Sequence, residues 1–334
     1  MARDAPGRVD LKGVAWVSVA AALFLTGCSG SNTVAERVII PHGASVRVAA
    51  ESLAAHGVIS NQTWFRLRAR FAKLDRMLKP GLYEFPPQSG TADVLRRLVA
   101  GDALHIRLTL PEGATLFDIA AAAESRVGIP KADFLGVARD SALRSQFAVV
   151  GESVEGWLLP ETFDFPALVS SREILERFLA ARRAGWDSSW DARAKVAKLD
   201  RHALLTLASI VEAEAKLPAD RPLIAAVYRN RLRIGMPLQA DPTIQYGYLL
   251  QDGSRKPRLY NVDYAFRSPW NSYLNPGLPP GPIGNPSSAA IEAVLSPSPV
   301  PYLYFVAGAD GAHRFSRNYH EHLQAIRKIR RGQL

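Results

Sequence analysis

The stretch LASIVEAEA, residues 207–215, sets two carboxylic acids, Glu212 and Glu214, into an otherwise apolar, helix-forming run. A carboxyl at the edge of a core is suited to general acid and base work, provided its surroundings hold the proton near neutral pH. Asp200 stands where a helix N-cap is wanted, ahead of the apolar positions Leu204, Leu205, Leu207, Ala208, Ile210 and Val211. At about 100° per residue, Glu212 lies over Leu205, Ala208 and Ser209, and Glu214 lies over Leu207 and Val211, about 200° away. The two are not expected to share a site directly. Because this helix is apolar nearly all round, at least one glutamate is drawn into poorly solvated surroundings, which disfavours the carboxylate and raises its pKa. A plainer reading leaves both on the last turn, where the helix quits the core for water.

The text downstream is dense in groups that bind sugars. A second helix, about residues 220–234, stops at Gly235, a natural C′ residue. In MPLQADPTIQYGY, Gln239, Asp241 and Thr243 alternate and share a side if the segment is extended. In SPWNSYLNPGLPPGPIGNP, residues 268–286, prolines and glycines stiffen a loop that carries Asn271, Ser272 and Tyr273. Planar amides pair with vicinal hydroxyls and aromatic rings cover apolar sugar faces, so these are substrate-contact types. PYLYFV, residues 301–306, alternates as a strand, and Asp310-Gly311 reads as a turn.

These groups need elements to position them. RVIIP, from Arg37, reads as a strand followed by Pro41-x-Gly43-Ala44-Ser45 and a helix through Leu53. IRLTLPEGAT repeats that grammar seventy residues later, with Pro111, Gly113, Ala114, Ile129 and Phe134 standing for Pro41, Gly43, Ala44, Ile59 and Trp64. Ser45 and Thr115 are the N-caps. Between the copies come a turn at Pro80-Gly81, a strand over 82–85 and a helix from Thr91 to Ala100 ended by Gly101. Strand, helix, helix and strand with a Gly-x-Ser/Thr entry resemble a LysM-type glycan-binding module. Residues 137–199 read as amphipathic helices, interrupted by the shaped loop EGWLLPETFDFP at 155–166. The expected class is α+β, a LysM-like N-terminal module at 37–104 followed by a mixed α/β catalytic domain at 105–334 with its core at about 155–326.

The N-terminus says where the chain works. Arg3, Arg8 and Lys12 precede an uncharged run at 14–25, VAWVSVAAALFL, which ends in Leu25-Thr26-Gly27-Cys28. Twelve apolar residues fit a signal-peptide core better than a membrane span, which needs about 20. The ending resembles a lipobox, and Cys28 is the single cysteine of the 334-residue chain, so lipidation at Cys28 is expected; the alternative is a single-pass anchor. Residues 1–27 form the leader and 28–36 a linker. One cysteine cannot form an internal disulfide, so the exported body is held by its core. With 41 Lys and Arg against 31 Asp and Glu the net charge is +10, which suits anionic partners such as phospholipid or wall polymer. The leader carries three of those positive charges and two of the negative, which leaves the body near +9.

LASIVEAEA, VYRNRLRIGMPLQADPTIQYGY, NSY…GLPPGPIGNP, YLYFVAGADGAHRFS, the final Glu321-His322 and, upstream, EGWLLPETF resemble the YceG/MltG family of endolytic murein transglycosylases. The likeness covers the chain beyond the leader. It implies cleavage of the glycan strand between N-acetylmuramic acid and N-acetylglucosamine, leaving a 1,6-anhydro ring, and it implies Glu212 as the acid and then the base. Glu214 is then a supporting or substrate-binding carboxylate. Gln239, Asp241, Asn271 and Tyr273 become substrate contacts, Glu161 a scaffold residue, and no cofactor or metal is expected. The resemblance also implies glycan strands as the partner, the wall-synthesis machinery as a neighbour, and the periplasmic face of the inner membrane as the location. Family members commonly carry one transmembrane helix, and the lipobox-like Cys28 departs from that. Ser29 lacks the aspartate that marks inner-membrane retention, which makes the outer membrane the alternative.

Other classes fit less well. His313, His320, Glu321 and His322 cluster in sequence without a zincin spacing. No G-x-S-x-G, G-x-G-x-x-G or P-loop is present, and nothing resembles a nucleic-acid module. A noncatalytic wall-binding protein and a muramidase that uses water are the alternatives.

Overall fold

The computed structural model describes residues 30–332; the leader and Cys28 lie outside them. The chain divides into two compact units, one running to Ile106 together with Pro166–Leu168, the other comprising Arg107–Phe165 and the chain from Val169 onward. The architecture is α+β, with helices predominating over three two-stranded sheets among the described residues. None of the described helices is long and apolar enough to cross a membrane.

In the first unit β1 (Glu36–Ile40) pairs antiparallel with β2 (Gly81–Phe85), Val38 opposite Tyr83. Alternation puts Val38 and Ile40 inside and leaves Ile39 half exposed, as a one-sided sheet requires. α1 (Val46–Ala55) and α2 (Gln62–Phe71) connect the strands, and α3 (Thr91–Ala100) follows β2, ending at Gly101 with φ +77°. Leu53, Phe65, Tyr83, Phe85 and Leu98 centre their shared core. Ser45 accepts from Val48 N and Asn61 from Trp64 N, so both helices start on side-chain caps.

β3 (His105–Thr109) spans the boundary at Ile106, and α4 (Leu116–Val127) follows in the second unit. The Pro-x-Gly-Ala grammar repeats in space. Ala44 N donates to Pro41 O at 3.2 Å and Ala114 N to Pro111 O at 3.1 Å, with Gly43 and Gly113 at φ +70° and +73°. Thr115 then forms a capping box with Asp118. α5 (Lys131–Ala138) and α6 (Ser141–Gln146) lead to the 155–161 loop and to β4 (Thr162–Pro166), which pairs with β3. α7 (Ser171–Ala184) and α8 (Ser188–Val196) precede α9 (Arg201–Glu214). Asp200 caps α9 through Ala203 N, and every residue from Leu204 to Val211 is buried. α9 ends because Ala215 turns extended and Leu217, which precedes Pro218, is extended too.

α10 (Arg221–Arg233), α11 (Asp241–Asp252) and α12 (Ser288–Leu295) pack around α9. The alternation expected over Gln239–Thr243 is absent. Asp241 and Pro242 start α11 instead, because proline at the first turn fixes φ where its missing N–H costs nothing and aspartate suits the positive helix end. β5 (Tyr304–Ala307) and β6 (His313–Ser316) form a hairpin through the expected turn, and α13 (Tyr319–Arg330) closes the chain. His313 is buried; its backbone N donates to Asp220 Oδ2 at 3.0 Å, and its ring Nδ1 lies 2.7 Å from the same oxygen. Arg231 Nε donates to Leu303 O at 2.7 Å, which also ties the hairpin to α10.

Candidate active site

A cavity of about 520 Å³ opens where α9 ends. Glu212, Ala213 and Glu214 line one part of it, Glu112, Gly113 and Ile283 another, and Asp241, Pro242, Gln245, Arg255 and Lys256 the remainder. The two glutamates therefore border one site, contrary to the separation expected from helical spacing. Glu214 is the terminal helical residue and Ala213 between them is exposed, so the cavity wraps the open end of α9 and reaches both. A larger hollow of about 860 Å³ lies between α10 and residues 297–301. It is lined by Lys198, Arg229, Arg233 and prolines but by no carboxyl, so it offers no acid for catalysis.

The glutamates differ in what they touch. The Glu212 side chain is 6% exposed. Its Oε1 accepts from Arg221 Nη2 at 2.7 Å, and its Oε2 accepts from Ser287 N at 3.0 Å and from the Ser287 hydroxyl. The same Arg221 nitrogen reaches Glu112 Oε2 at 3.3 Å. Among the described residues Glu214 has one hydrogen-bond partner, the Tyr228 hydroxyl, which donates to its Oε1 at 3.0 Å. Burial pushes the Glu214 carboxyl up to about 7, and the negative charge of Asp241 pushes the same way against the pull of Tyr228 and Arg231. Both carboxyls are drawn out of bulk water at this helix end, Glu212 into an ion pair with Arg221 and Glu214 against the neutral Tyr228 hydroxyl.

The expected substrate contacts fall in different places. Asp241 borders the cavity and accepts from the Tyr273 hydroxyl at 2.7 Å and from that of Tyr264 at 3.4 Å. The two tyrosine rings meet edge to face, 4.8 Å apart. Burial and the bond to Asp241 hold the Tyr273 phenol protonated well above its usual range. Asn271 is wholly buried, and its amide donates to the carbonyls of Tyr264 and Phe266 and accepts from Tyr273 N. It shapes the loop that presents Tyr273 and has no face toward the cavity. Gln239 is exposed, at φ +51°, does not line the cavity, and bonds the 271–273 loop through its backbone N, which donates to Ser272 O at 3.1 Å. His313 is held by Asp220, His320 lies 2.8 Å from Gln324, and His322 stacks on Tyr304. Glu161 is exposed and bonds Thr162 N.

Sequence reading missed three residues here. Arg221 and Ser287 hold Glu212, and the sequence signal was faint: an arginine before the first proline of α10, and a serine that caps α12. The third is Glu155, the first residue of EGWLLPETF, 3% exposed, whose carboxyl burial pushes up to about 7.

The chain thus carries a hydrogen-bonded polar cleft at the end of a buried helix, on an α+β frame. The YceG-like family model matches residues 38–328, and the chain belongs to that family. It is 31% identical over 304 residues to the endolytic murein transglycosylase of Bacillus subtilis, a match covering 86% of this chain and 83% of that one. It is also 31% identical over 312 residues to the endolytic murein transglycosylase of Streptococcus pneumoniae, covering 85% of this chain and 56% of the longer relative. A crystal structure of a YceG-like protein from Listeria monocytogenes superposes with a TM-score of 0.60 at 31% identity, over 87% of this chain and 99% of that one.

Proposed function

We propose that this protein is an endolytic lytic transglycosylase of murein, with Glu214 as the group that moves the proton. The observation that carries the reading is the Glu214 carboxyl, desolvated at the rim of the cleft, raised to about 7 and held by a single hydroxyl donor. Such a carboxyl is protonated in a useful fraction near neutral pH and can release its proton to an oxygen that enters the cleft. Glu214 protonates the glycosidic oxygen as the bond from muramic C1 breaks. The resulting carboxylate then takes the proton of the muramic C6 hydroxyl while that oxygen closes on C1. No water is consumed, and the product ends in a 1,6-anhydro ring. The sugar's own N-acetyl group can shelter the cationic centre, so the second carboxylate of ordinary glycosidases is not required.

Glu212 takes a supporting part in this reading. Charge-paired to Arg221 and bonded to Ser287, it joins three segments of the cleft wall. Asp241 faces Glu214 electrostatically, and Tyr273 and Tyr264 offer rings to a sugar face. The residue order of the family resemblance favours Glu212 as the acid instead, and one experiment separates the two. Purified Glu214→Gln and Glu212→Gln proteins are incubated with sacculi and the released muropeptides weighed by mass spectrometry. We expect anhydro-ended products from the wild type, none from Glu214→Gln, and a reduced yield of the same products from Glu212→Gln. Full activity in Glu214→Gln sinks the assignment; reducing ends in place of anhydro ends mark a hydrolase, and no release at all marks a binding protein.

The β1-α1-α2-β2 order supports a LysM-like role for the first unit in holding glycan. The N-terminus, through lipidated Cys28 or a single-pass helix, anchors the enzyme to the periplasmic face of the inner membrane, or of the outer membrane if the lipid sorts it there. In that position it works beside the peptidoglycan synthesis machinery.

A further inference from the structure

Three separate segments approach one another beneath the cleft: residues 113–116, 155–158 and 284–287. The first and the last of them touch Glu212. Gly113 borders Glu212, an added Cβ there lying 3.4 Å from Glu212 Cγ, and Ser287 donates twice to that glutamate. At the centre of the junction is the buried carboxylate of Glu155. Leu116 N, at the start of α4, donates to both of its oxygens, at 3.2 and 3.0 Å. Asn285 Nδ2 donates to Oε1 at 2.9 Å, and the Tyr246 hydroxyl, on α11, donates to Oε2 at 3.2 Å. All three partners are donors, and their hydrogen bonds favour the carboxylate against the burial that pushes it up.

Asn285 passes the constraint on. Its side-chain oxygen accepts from Leu158 N at 3.0 Å, and its amide donates to Ala114 O at 3.0 Å. Its backbone N donates to Ala114 O at 2.8 Å and its carbonyl accepts from Gly113 N at 2.8 Å, a two-way bond between loops 171 residues apart in sequence. Two residues further on, Ser287 reaches Glu212. Arg182 pins the remaining corner by donating to Leu158 O at 2.9 Å and to Pro286 O.

We propose that Glu155 is a positioning residue of the cleft, whose buried carboxylate, through Asn285, fixes the 284–287 loop so that Ser287 and Gly113 hold Glu212 in place. It touches neither substrate nor Glu214, and it acts through the wall of the site. The proposal rests on the cleft being the reaction site, while its structural part stands by itself. A neutral amide at this point keeps one acceptor oxygen and turns an NH₂ toward a donor, which releases Asn285 or Tyr246.

The test uses the full chain. In Glu155→Gln, hydrogen exchange followed by mass spectrometry is expected to quicken in peptides covering 111–118 and 283–290, and to stay at the wild-type rate in 36–60. Turnover on sacculi is expected to fall about 10²-fold, as misplacement of a site by about 1 Å can do. Glu155→Gln combined with Ser287→Ala is expected to lose no more than the worse single variant, because both sever one line of contacts. Unchanged exchange in 283–290 overturns the proposal, and so does a double variant whose losses multiply. If the wild type releases no muropeptides, the catalytic reading falls and the exchange pattern alone decides the positioning claim. A loss of exchange protection spread over the whole chain marks Glu155 as a general core residue and also overturns it.

Discussion

Near neutral pH a carboxyl with a pKa of about 7 exists in both forms, so the neighbours of Glu214 set the range in which it can serve as an acid. Burial and Asp241 raise it, while Tyr228 and Arg231 lower it. Activity that needs the protonated form falls as pH climbs through that value. Removing the Asp241 charge in Asp241→Asn relieves a repulsion on the carboxylate, so the alkaline limb of the pH–rate profile moves down. Removing the hydroxyl donor in Tyr228→Phe strips stabilisation from the carboxylate, so the limb moves up. Opposite displacements, measured as kcat against pH on soluble glycan strands, are the expected outcome. Displacement of both in one direction places the controlling proton elsewhere. The desolvation at this helix end was legible in the sequence, because α9 is apolar nearly all round; which glutamate meets a neutral partner and which a charged one was not. Arg221, nine residues along, and Ser287, seventy-five residues along, occupy the Glu212 carboxyl, and no periodicity reports such partners.

At the scale of elements, the helix and strand boundaries followed local chemistry closely. Ser45, Thr115 and Asp200 cap the helices they were expected to cap, and Gly101 ends α3. The 239–243 segment misled because alternating polar residues mimic a strand, whereas Asp-Pro fixes a helix start. Asn271 misled in another way: an asparagine in a polar loop suits a ligand and a turn equally well, and here it stitches the loop shut. The loops themselves meet more closely than any sequence pattern implies. A Cβ on Gly284 would lie 2.4 Å from Gly113 O, a backbone atom that cannot swing away. Gly284→Ala is therefore expected to push the 112–114 and 284–287 segments apart, to cost about 1–3 kcal/mol of stability and to lower turnover. Thermal melts together with product release check it, and a variant that matches wild type in both removes the close approach from the account.

For the whole molecule, charge is the property that reaches furthest. A net +10 on 334 residues favours association with an anionic wall over long distances, and salt shortens that reach from about 10 Å at 0.1 M to about 3 Å at 1 M. Sedimentation with sacculi is expected to retain several-fold less protein at 0.5 M than at 0.05 M NaCl; retention indifferent to salt would assign capture to the glycan contacts alone. Within the second unit, the last hairpin is not a decoration. His313 in β6 grips Asp220, the residue immediately before Arg221, and Arg231 farther along the same helix holds the carbonyl of Leu303. A frameshift or premature stop after residue 300 is thus expected to unseat the guanidinium clamped on Glu212, and a genetic screen is expected to score such a terminal lesion alongside substitutions of Glu212 itself.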